Sequence, residues 1–131
     1  MSQENVELVR AGYEAFNRRD FDAALATAHD SVTWKPFFSV ETKLLSGKEE
    51  IRKAWTRQTE ALDLRIHLLE LRALDATRVL AVGKWTGRGA GSGASVAQEN
   101  AQVFTVEEGK LRSVETFASK RDALEAIGLT E

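Results

Sequence analysis

The sequence predicts an α+β domain in which helices cover one face of a strongly curved sheet. Helix-type patterns lie at both ends of the chain. Between Leu64 and Ala118, apolar and β-branched residues alternate with polar ones, and only short turns with Gly or Asp interrupt them. Helices followed by an uninterrupted run of strands are typical of α+β domains with an antiparallel or mixed sheet. This order favours a cavity between helices and sheet, but it does not define a reaction.

Size and composition indicate a single domain that spans residues 1–131. A hydrophobic content of 43% with 29% charged residues is ordinary for a globular protein, which argues against disorder. The chain carries 18 basic and 20 acidic residues without a concentrated basic stripe, so we expect no nucleic-acid partner. It has no cysteine, which excludes disulfides, a thiol nucleophile and every cysteine-based metal site.

The N-terminal residues give no sign of export. The stretch MSQENVELVR lacks both the basic region and the apolar region of a signal peptide. No apolar run approaches the ~20 residues that a membrane span needs, so we expect no membrane partner. The sequence therefore predicts a soluble, cytoplasmic protein.

The first helix is predicted from one apolar stripe with a spacing of three to four residues, formed by Val6, Val9, Tyr13 and Phe16. Ser2 can cap its start. Asp20 is a good N-cap for a second, shorter helix, which we expect to end at residues 29–31. This places His29 at a helix C-terminus, where the helix dipole favours a structural role for its imidazolium.

A first strand is predicted over residues 32–35, and Pro36 ends it because proline cannot donate to a strand ladder. Residues 37–45 fit either a loop or a loop with a short strand. The stretch Ser46-Gly47-Lys48-Glu49 matches the S-x-x-E capping box, which predicts the start of a third helix. Ile51 and Trp55 belong to the inner stripe of that helix.

Four longer strands are predicted over residues 64–74, 78–88, 95–106 and 110–118. The turns between them contain residues 75–77, the stretch GRGAGSG at 87–93, and residues 107–109, where Gly109 supplies a positive φ. The glycine-rich stretch fits a flexible hairpin and not a phosphate loop, because neither G-K-[ST] nor a helix follows it. Ser119 is expected to cap a final helix, with Gly128 just beyond its end.

Five stretches of the chain resemble one known family. They are ENVELVRAGYEAFNRRDFDAAL, DSVTWKP, SGKEEIRKAW, GRGAGSG and FTVEEGKLRSVETF, and they are distributed over residues 4–117. In this order they are similar to the SnoaL-like branch of the nuclear-transport-factor-2-like superfamily, which includes polyketide cyclases and ketosteroid isomerase. The resemblance implies a cystatin-like cone, in which a strongly bent sheet wraps around the N-terminal helices. Some relatives have no chemistry, so the resemblance implies a pocket more than an activity.

The resemblance also implies a class of ligand. We expect a small hydrophobic molecule, similar to a polyketide or a steroid, which is handled without a cofactor. The chain has only two histidines, His29 and His67, so we expect no metal site. We also expect a homodimer, because the convex face of such a sheet would carry β-branched and aromatic residues that need covering.

The steroid-isomerase branch of the family allows a stricter test of the chemistry. Where that branch has its catalytic Asp before a proline, this chain has Lys35 before Pro36, and Gln102 stands where the branch has a second acid. The helix-one tyrosine of that branch would fall near Gly12, which puts Tyr13 one position out of register. Since a missing general base costs roughly 10²–10⁴ in rate, isomerisation by the usual residues is not expected.

Lys35 and Glu115 are the candidate catalytic residues. A lysine that faces an apolar pocket at a strand end would have a lowered pKa, and it could act as a base, a Schiff-base nucleophile or an anion clamp. The alternative is a solvated lysine at the rim of the pocket. Glu115 resembles a base on the last strand, and its alternative is a cross-strand ion pair.

A ligand pocket is predicted from the polar row on the third long strand. Gln98, Asn100 and Gln102 share one parity with Phe104, and amides on a buried face need hydrogen-bond partners. If that face is concave, the amides contact a ligand; if it is convex, they face solvent or a partner subunit. The family favours the concave side. The other predicted lining residues are Tyr13, Phe16, Trp34 and Trp55, while Trp85 fits the core or the pocket wall.

Two functions of different class remain open. The first is a cofactor-independent isomerase, cyclase, dehydratase or hydrolase that acts on a hydrophobic metabolite. The second is a non-catalytic domain for ligand binding or dimerisation. A buried carboxylate or lysine with a shifted pKa in the cavity would favour catalysis, whereas a cavity lined by neutral side chains would favour binding.

Overall fold

The structure, a computed structural model, describes residues 2–36, 44–89, 93 and 95–129. Its elements follow the order α1 (Ser2–Asn17), α2 (Phe21–Leu25), β1 (Ala28–Lys35), β2 (Leu45–Ser46), α3 (Lys48–Ala61), β3 (Arg65–Ala73), β4 (Arg78–Arg88), β5 (Ser95–Glu107), β6 (Lys110–Phe117) and α4 (Lys120–Ala126). The strands form one sheet in the order β2-β1-β6-β5-β4-β3. β1 runs parallel to β6, and the other neighbours are antiparallel. The prediction of an α+β domain with a mixed sheet is confirmed.

The sheet is curved, and irregular pairing in two strands contributes to the curvature. The pairing register shifts between Leu68 and Glu70 in β3 and between Thr105 and Val106 in β5. An extra residue on one strand of a pair bends that strand and increases its twist. The N-terminal helices pack on the concave face that results, as predicted.

Each face of the sheet has its own hydrophobic core. On the concave face, side chains of α1, α2 and α3 pack against inward-facing residues of the strands, in a cluster that includes Val9, Leu25, Ile51, Val79 and Val114. On the convex face, α4 contributes Ala123 and Leu124 to a cluster with Leu80, Val82, Ala101 and Val103. Successive residues of a strand point to opposite faces, so each central strand supplies both cores.

The end of α1 is attached to the edge strand β3. The Asn17 side chain donates to the Ile66 carbonyl at 2.8 Å and accepts from the Ile66 N–H at 2.9 Å. Arg19 donates to the Leu64 carbonyl. These bonds occupy open backbone groups of an edge strand and hold the apolar stripe of α1 over the concave face.

α2 is shorter than predicted. It begins after Asp20, whose side chain accepts from the Ala23 N–H at 3.1 Å as expected, but it ends at Leu25. β1 already begins at Ala28, which pairs with a residue of β6. His29 therefore lies in a strand, and the prediction that it lies at a helix C-terminus is wrong. Pairing with β6 overrides the local helical pattern.

The start of α3 also differs from the prediction. Ser46 pairs with Thr33 in the short strand β2, so its backbone is already engaged. Gly47, with a φ of 87°, is the N-cap, and no side chain caps the helix there. Instead, the Ser46 N–H donates to the Glu50 carboxylate at 3.0 Å. The capping-box prediction is wrong because strand pairing fixes the conformation of Ser46.

The remaining predicted element ends are confirmed. β3 to β6 agree with the predicted ranges to within about a residue at each end, the usual uncertainty of such bounds. The Ser119 hydroxyl accepts from the Asp122 N–H at 3.1 Å at the start of α4, and Gly128 follows its end with a φ of 82°. Gly109 has a φ of 75° in the last hairpin turn.

Some predictions fall outside the described residues. These are the conformation of residues 37–43, the tip of the glycine-rich turn at residues 90–92, and the side chain of Ser2. Within the described ranges, no helix is long and apolar enough to cross a membrane. The cytoplasmic location stays a prediction.

Candidate functional site

A cavity of about 40 Å³ lies between the helices and the concave face of the sheet. α1 forms one wall, α2 and α3 contribute Ala24 and Trp55, and the strands form the floor. Among the described residues, no charged side chain lines the cavity, and its polar lining side chains besides tryptophan are Tyr13 and Gln102. In the same part of the chain, no three His, Asp or Glu side chains are grouped so that they could hold a metal ion.

Edge-to-face contacts between aromatic rings build the walls of the cavity. Trp55 of α3 meets Phe16 of α1 with ring centroids 5.3 Å apart, and it meets Trp34 of β1 at 5.2 Å. Phe104 of β5 meets Tyr13 at 5.6 Å. Such pairs each stabilise by about 0.5–1.5 kcal/mol beyond the burial of their area. The rings therefore hold one another in place and set the shape of the cavity.

The cavity is small in this conformation. One water needs roughly 10–15 Å³, and an engineered cavity of about 150 Å³ takes up benzene. The cavity of 40 Å³ therefore has room for about three waters. Trp34 and Trp85 are only partly buried where they pack against the core. A ligand of ordinary size fits only if these rings move.

Hydrogen bonds connect the two polar lining residues to the last strand. The Tyr13 hydroxyl donates to Gln102 Oε1, and Gln102 Nε2 donates to Thr116 Oγ1 at 3.0 Å. Gln102 is 1% exposed, so these bonds satisfy an amide that would be costly to bury without partners. Burial raises the pKa of Tyr13 well above its usual range, so the hydroxyl stays protonated at neutral pH. These side chains can orient a ligand oxygen without bringing a formal charge.

Most of the predicted pocket residues lie around the cavity, namely Tyr13, Phe16, Trp34, Trp55, Gln102 and Phe104. Two others do not line it. Asn100 is 2% exposed but lies outside the lining, and Gln98 is exposed further towards the start of β5. The part of all these residues in ligand binding stays a prediction.

The candidate catalytic residues lie away from the cavity. Lys35 Nζ pairs with Glu115 Oε2 at 3.4 Å, and the two side chains are 63% and 46% exposed. Trp34 and Val114 precede them and pack in the concave core, so the alternation of strand residues puts the ion pair on the convex face. The expectation that Lys35 faces an apolar pocket is therefore corrected. A catalytic role for either residue stays a prediction, and their placement gives it no support.

A family profile decides where the chain belongs. The profile of the SnoaL-like domain matches residues 9–114, which is most of the chain. The chain belongs to the SnoaL-like domain family. This confirms the resemblance seen in the sequence. None of the curated proteins compared with the chain matches it.

Solved structures resemble this SnoaL-like protein along nearly its whole length. A candidate polyketide cyclase from Xanthomonas campestris is 22% identical, with a TM-score of 0.79 over 97% of this chain and 98% of the other. An NTF2-like protein of unknown function from Burkholderia pseudomallei is 23% identical, with a TM-score of 0.78 over 98% and 99%. TerC, co-crystallised with polyporic acid, is 21% identical, with a TM-score of 0.76 over 95% and 98%. At these identities the likeness shows the nuclear-transport-factor-2-like fold alone.

The structure of the SnoaL-like domain shows which residue Tyr13 contacts, while its match to the steroid-isomerase tyrosine stays a prediction. The sequence places Tyr13 one position out of register with the tyrosine of the steroid isomerases, near Gly12. Its hydroxyl nevertheless reaches Gln102, the residue that stands in place of an acid of that branch. The offset along α1 does not separate the pair, because both side chains point into the same cavity.

Thr116 was not identified from the sequence as a residue of the site, and Trp85 was described only as a residue of the core or the pocket wall. Thr116 lies directly opposite Gln102 in the pairing of β5 with β6, so the register of this hairpin was the available signal. Trp85 lines the cavity, and within the described residues its Nε1 is a buried nitrogen without a hydrogen-bond partner. Trp85 lies at an even number of residues from Val79 and Ala81 on β4, and both of these pack in the concave core, so the alternation of strand residues directs Trp85 to the same face.

Proposed function

We propose that this SnoaL-like domain binds a small, largely apolar organic molecule in the cavity between α1 and the sheet. The observation that carries the proposal is the lining, which consists of aromatic and aliphatic side chains around one neutral polar pair, Tyr13 and Gln102. Ligand sites in proteins are typically concave and mostly apolar, with a few polar groups that fix the orientation of the ligand.

The proposed ligand class is a hydrophobic molecule similar to a polyketide or a steroid. Two structures with the same fold support this class, since one is a candidate polyketide cyclase and another was co-crystallised with polyporic acid. The cavity volume of 40 Å³ limits the size of the ligand that can bind without rearrangement of the protein. A ligand with several rings requires Trp34 and Trp85 to turn away from the cavity, whereas a compact ligand requires less rearrangement.

The residues that line the cavity support ligand binding without catalysis. General acid–base catalysis needs a group that titrates near the working pH. Among the described residues, no carboxylate, lysine or histidine lines the cavity. Tyr13 is the titratable residue there, and burial moves its pKa further from neutrality.

A cofactor-independent isomerase, cyclase, dehydratase or hydrolase is the second candidate. One observation favours it: the Tyr13 hydroxyl is held against Gln102, and the resemblance puts Gln102 where the steroid-isomerase branch has its second acid. Hydrogen-bond donors fixed in an apolar site stabilise negative charge that develops on a substrate oxygen. This role would need no charged side chain in the cavity.

A substitution at Gly12 tests the proposal. Gly12 lines the cavity, and a Cβ placed on it meets no atom within 4 Å, so the side chain of Gly12→Leu should begin in open space and occupy the cavity. Ala11→Leu adds the same side chain at an exposed neighbouring position and is the matched control. Native mass spectrometry of the purified proteins looks for a co-purified compound, and ligand-observed NMR measures the binding of toluene. We expect binding to the wild type and to Ala11→Leu, and its loss in Gly12→Leu.

Two further outcomes separate the candidates. A co-purified compound that is recovered unchanged after incubation with the protein supports binding alone, and a compound that is converted supports the enzyme. If no compound co-purifies and toluene gives the same signals with all three proteins, the proposed binding function fails.

We also propose that the domain forms a homodimer through the half of the convex face that α4 leaves open. The expectation that this face is apolar is wrong for the open half. The apolar cluster of the convex face lies under α4, and the open half carries the exposed side chains of His67, Lys84 and Glu99. A contact between two copies would therefore rest on charged and polar groups.

A further inference from the structure

One buried hydrogen-bond donor at the cavity has no partner. Within the described residues, Trp85 Nε1 and Arg52 Nε are the buried side-chain nitrogens without a hydrogen bond. Arg52 offers other donors, and its Nη1 pairs with Asp22 at 2.5 Å. The indole of Trp85 has a single polar atom, which can only donate. A buried donor without a partner is costly, and native proteins keep few of them.

Tyr13 and Gln102, the polar lining side chains besides tryptophan, already have partners. The Tyr13 hydroxyl hydrogen goes to Gln102 Oε1, and Gln102 Nε2 donates to Thr116. Gln98 lies directly opposite Trp85 on β5, but its side chain is exposed. Among the buried side-chain nitrogens that line the cavity in the described residues, the indole nitrogen of Trp85 is the one without any hydrogen bond, whereas Gln102 Nε2 already uses one of its two N–H groups.

The neighbourhood of Trp85 on β4 leaves the N–H next to bare backbone. A Cβ placed on Gly83 would lie 3.7 Å from Trp85 Nε1 and 3.2 Å from Ile66 Cγ2. The indole nitrogen thus lies over a position without a side chain, two residues before its own on the same face of the strand. The backbone carbonyl of His67 lies 3.6 Å from the same Cβ position, but Trp85 Nε1 makes no hydrogen bond to it, and Ile66 is the β3 side chain that lines the cavity.

We propose that Trp85 Nε1–H donates a hydrogen bond to an acceptor oxygen of the ligand. The inference rests on the proposed binding function and narrows it. The ligand would be a largely apolar molecule that carries a carbonyl or a similar acceptor oxygen, and it would bind more tightly than a hydrocarbon of the same shape. A site with a buried donor discriminates against molecules that leave the donor unpaired, so Trp85 would determine specificity.

The test compares two probes of the same ring size and shape. Cyclopentanone carries an acceptor oxygen, and methylenecyclopentane has a CH₂ group in its place. The three tryptophans give three indole N–H signals in a ¹⁵N-labelled sample, and Trp→Phe variants assign them. We expect cyclopentanone to shift the Nε1–H signal of Trp85 in the wild type by more than methylenecyclopentane does.

Affinities measured with variants provide the second readout. Trp85→Phe removes the donor, and Trp34→Phe is the matched control because Trp34 also lines the cavity and is partly buried. We expect Trp85→Phe to weaken the binding of cyclopentanone by about three- to tenfold relative to methylenecyclopentane, which is the range for one neutral hydrogen bond. Trp34→Phe should change both affinities by the same factor.

The outcomes separate this inference from the function on which it rests. If both probes bind and Trp85→Phe changes their affinities equally, with no specific shift of the indole signal, the donor role of Trp85 is overturned and the binding function stands. If neither probe binds to the wild type and Gly12→Leu makes no difference, both are overturned.

Discussion

At the scale of single residues, Gln102 limits what the polar part of the cavity can do. Its Oε1 accepts from the Tyr13 hydroxyl, and its Nε2 donates to Thr116. An acid at this position would be able to release a proton or carry a charge, whereas an amide does neither. A charge in an apolar space costs far more than in water unless it is paired. The neutral amide therefore favours the recognition of a neutral ligand.

Tyr13→Phe tests the importance of the bond to Gln102. The substitution leaves the buried Gln102 Oε1 without its donor, so we expect the free energy of unfolding to fall by about 1–3 kcal/mol. Urea denaturation followed by tryptophan fluorescence measures this change. Gln3→Ala alters an exposed side chain of the same helix and is the control, with an expected effect below about 0.5 kcal/mol. A loss no larger than that of the control would contradict the prediction.

The direction of side chains could be predicted in part from residue order. Trp34 and Lys35 are neighbours in β1, and neighbouring strand residues point to opposite faces, so both cannot line one pocket. The ring lines the cavity and the lysine pairs with Glu115 on the convex side. The family resemblance suggests Lys35 as a catalytic residue because it precedes a proline. This position in the sequence does not determine to which face of the sheet the side chain is directed.

Whether a side chain at a given point along a strand is buried could not be predicted in the same way. Gln98 and Gln102 share one parity on β5, yet Gln98 is exposed and Gln102 is buried. Parity gives the face of the sheet, but burial depends on how far the helices extend over that face. This extent is set by tertiary contacts such as the bonds between Asn17 and Ile66, which join residues far apart in the chain.

At the scale of elements, the ends that depend on local bonds were predictable. Asp20 and Ser119 accept from backbone N–H groups within their own helix starts, so a short stretch of sequence contains both partners. Ser46 matches a capping motif as well, but it pairs with Thr33 of β1. A sequence pattern cannot show this competing partner, because strand pairing is decided by the packing of distant segments.

The turn between β3 and β4 is organised by one carboxylate. Asp75 Oδ1 accepts from the backbone N–H of Thr77 at 2.9 Å and of Arg78 at 2.7 Å, and Oδ2 accepts from Arg78 Nε at 2.7 Å. These bonds lower the pKa of Asp75 to about 2, and the hydrogen bond from the Thr77 N–H contributes most to the lowering. The native turn therefore prefers the ionised carboxylate.

The lowered pKa of Asp75 predicts a pH-dependent contribution to stability. In the unfolded chain the pKa is about 3.9, so the stabilisation is complete above that value and disappears as the pH falls towards about 2. Asp75→Asn removes it. The difference in Tm between wild type and variant, measured by thermal unfolding, should be largest near neutral pH and should shrink as the pH falls from about 4 to about 2. Solvent screens this surface group, so the effect should be small. A difference that stays constant over this range would contradict the prediction.

At the scale of the whole molecule, the order of elements predicted the architecture but not the volume of the cavity. Helices followed by a run of strands allow few ways to bury the apolar faces, and the observed layers are one of them. The volume depends on how the rings of Phe16, Trp34, Trp55 and Trp85 pack against one another. Interiors are close-packed, so a small rotation of one ring changes the free space appreciably.

The open half of the convex face sets the expectation for self-association. Lys84 lies between His67 and Glu99 on adjacent strands, and all three side chains are exposed. A second copy can meet this surface with complementary charges but with little apolar area, so we expect a weak homodimer at micromolar concentration. Its affinity should fall as salt rises from about 0.1 M to about 1 M, because the Debye length falls from about 10 Å to about 3 Å. Sedimentation equilibrium measures the populations of monomer and dimer at each salt concentration. Lys84→Glu should weaken the dimer, whereas Lys53→Glu, at an exposed position of α3, should not. A monomer at low salt, or a dimer that responds to neither salt nor Lys84→Glu, would contradict this expectation.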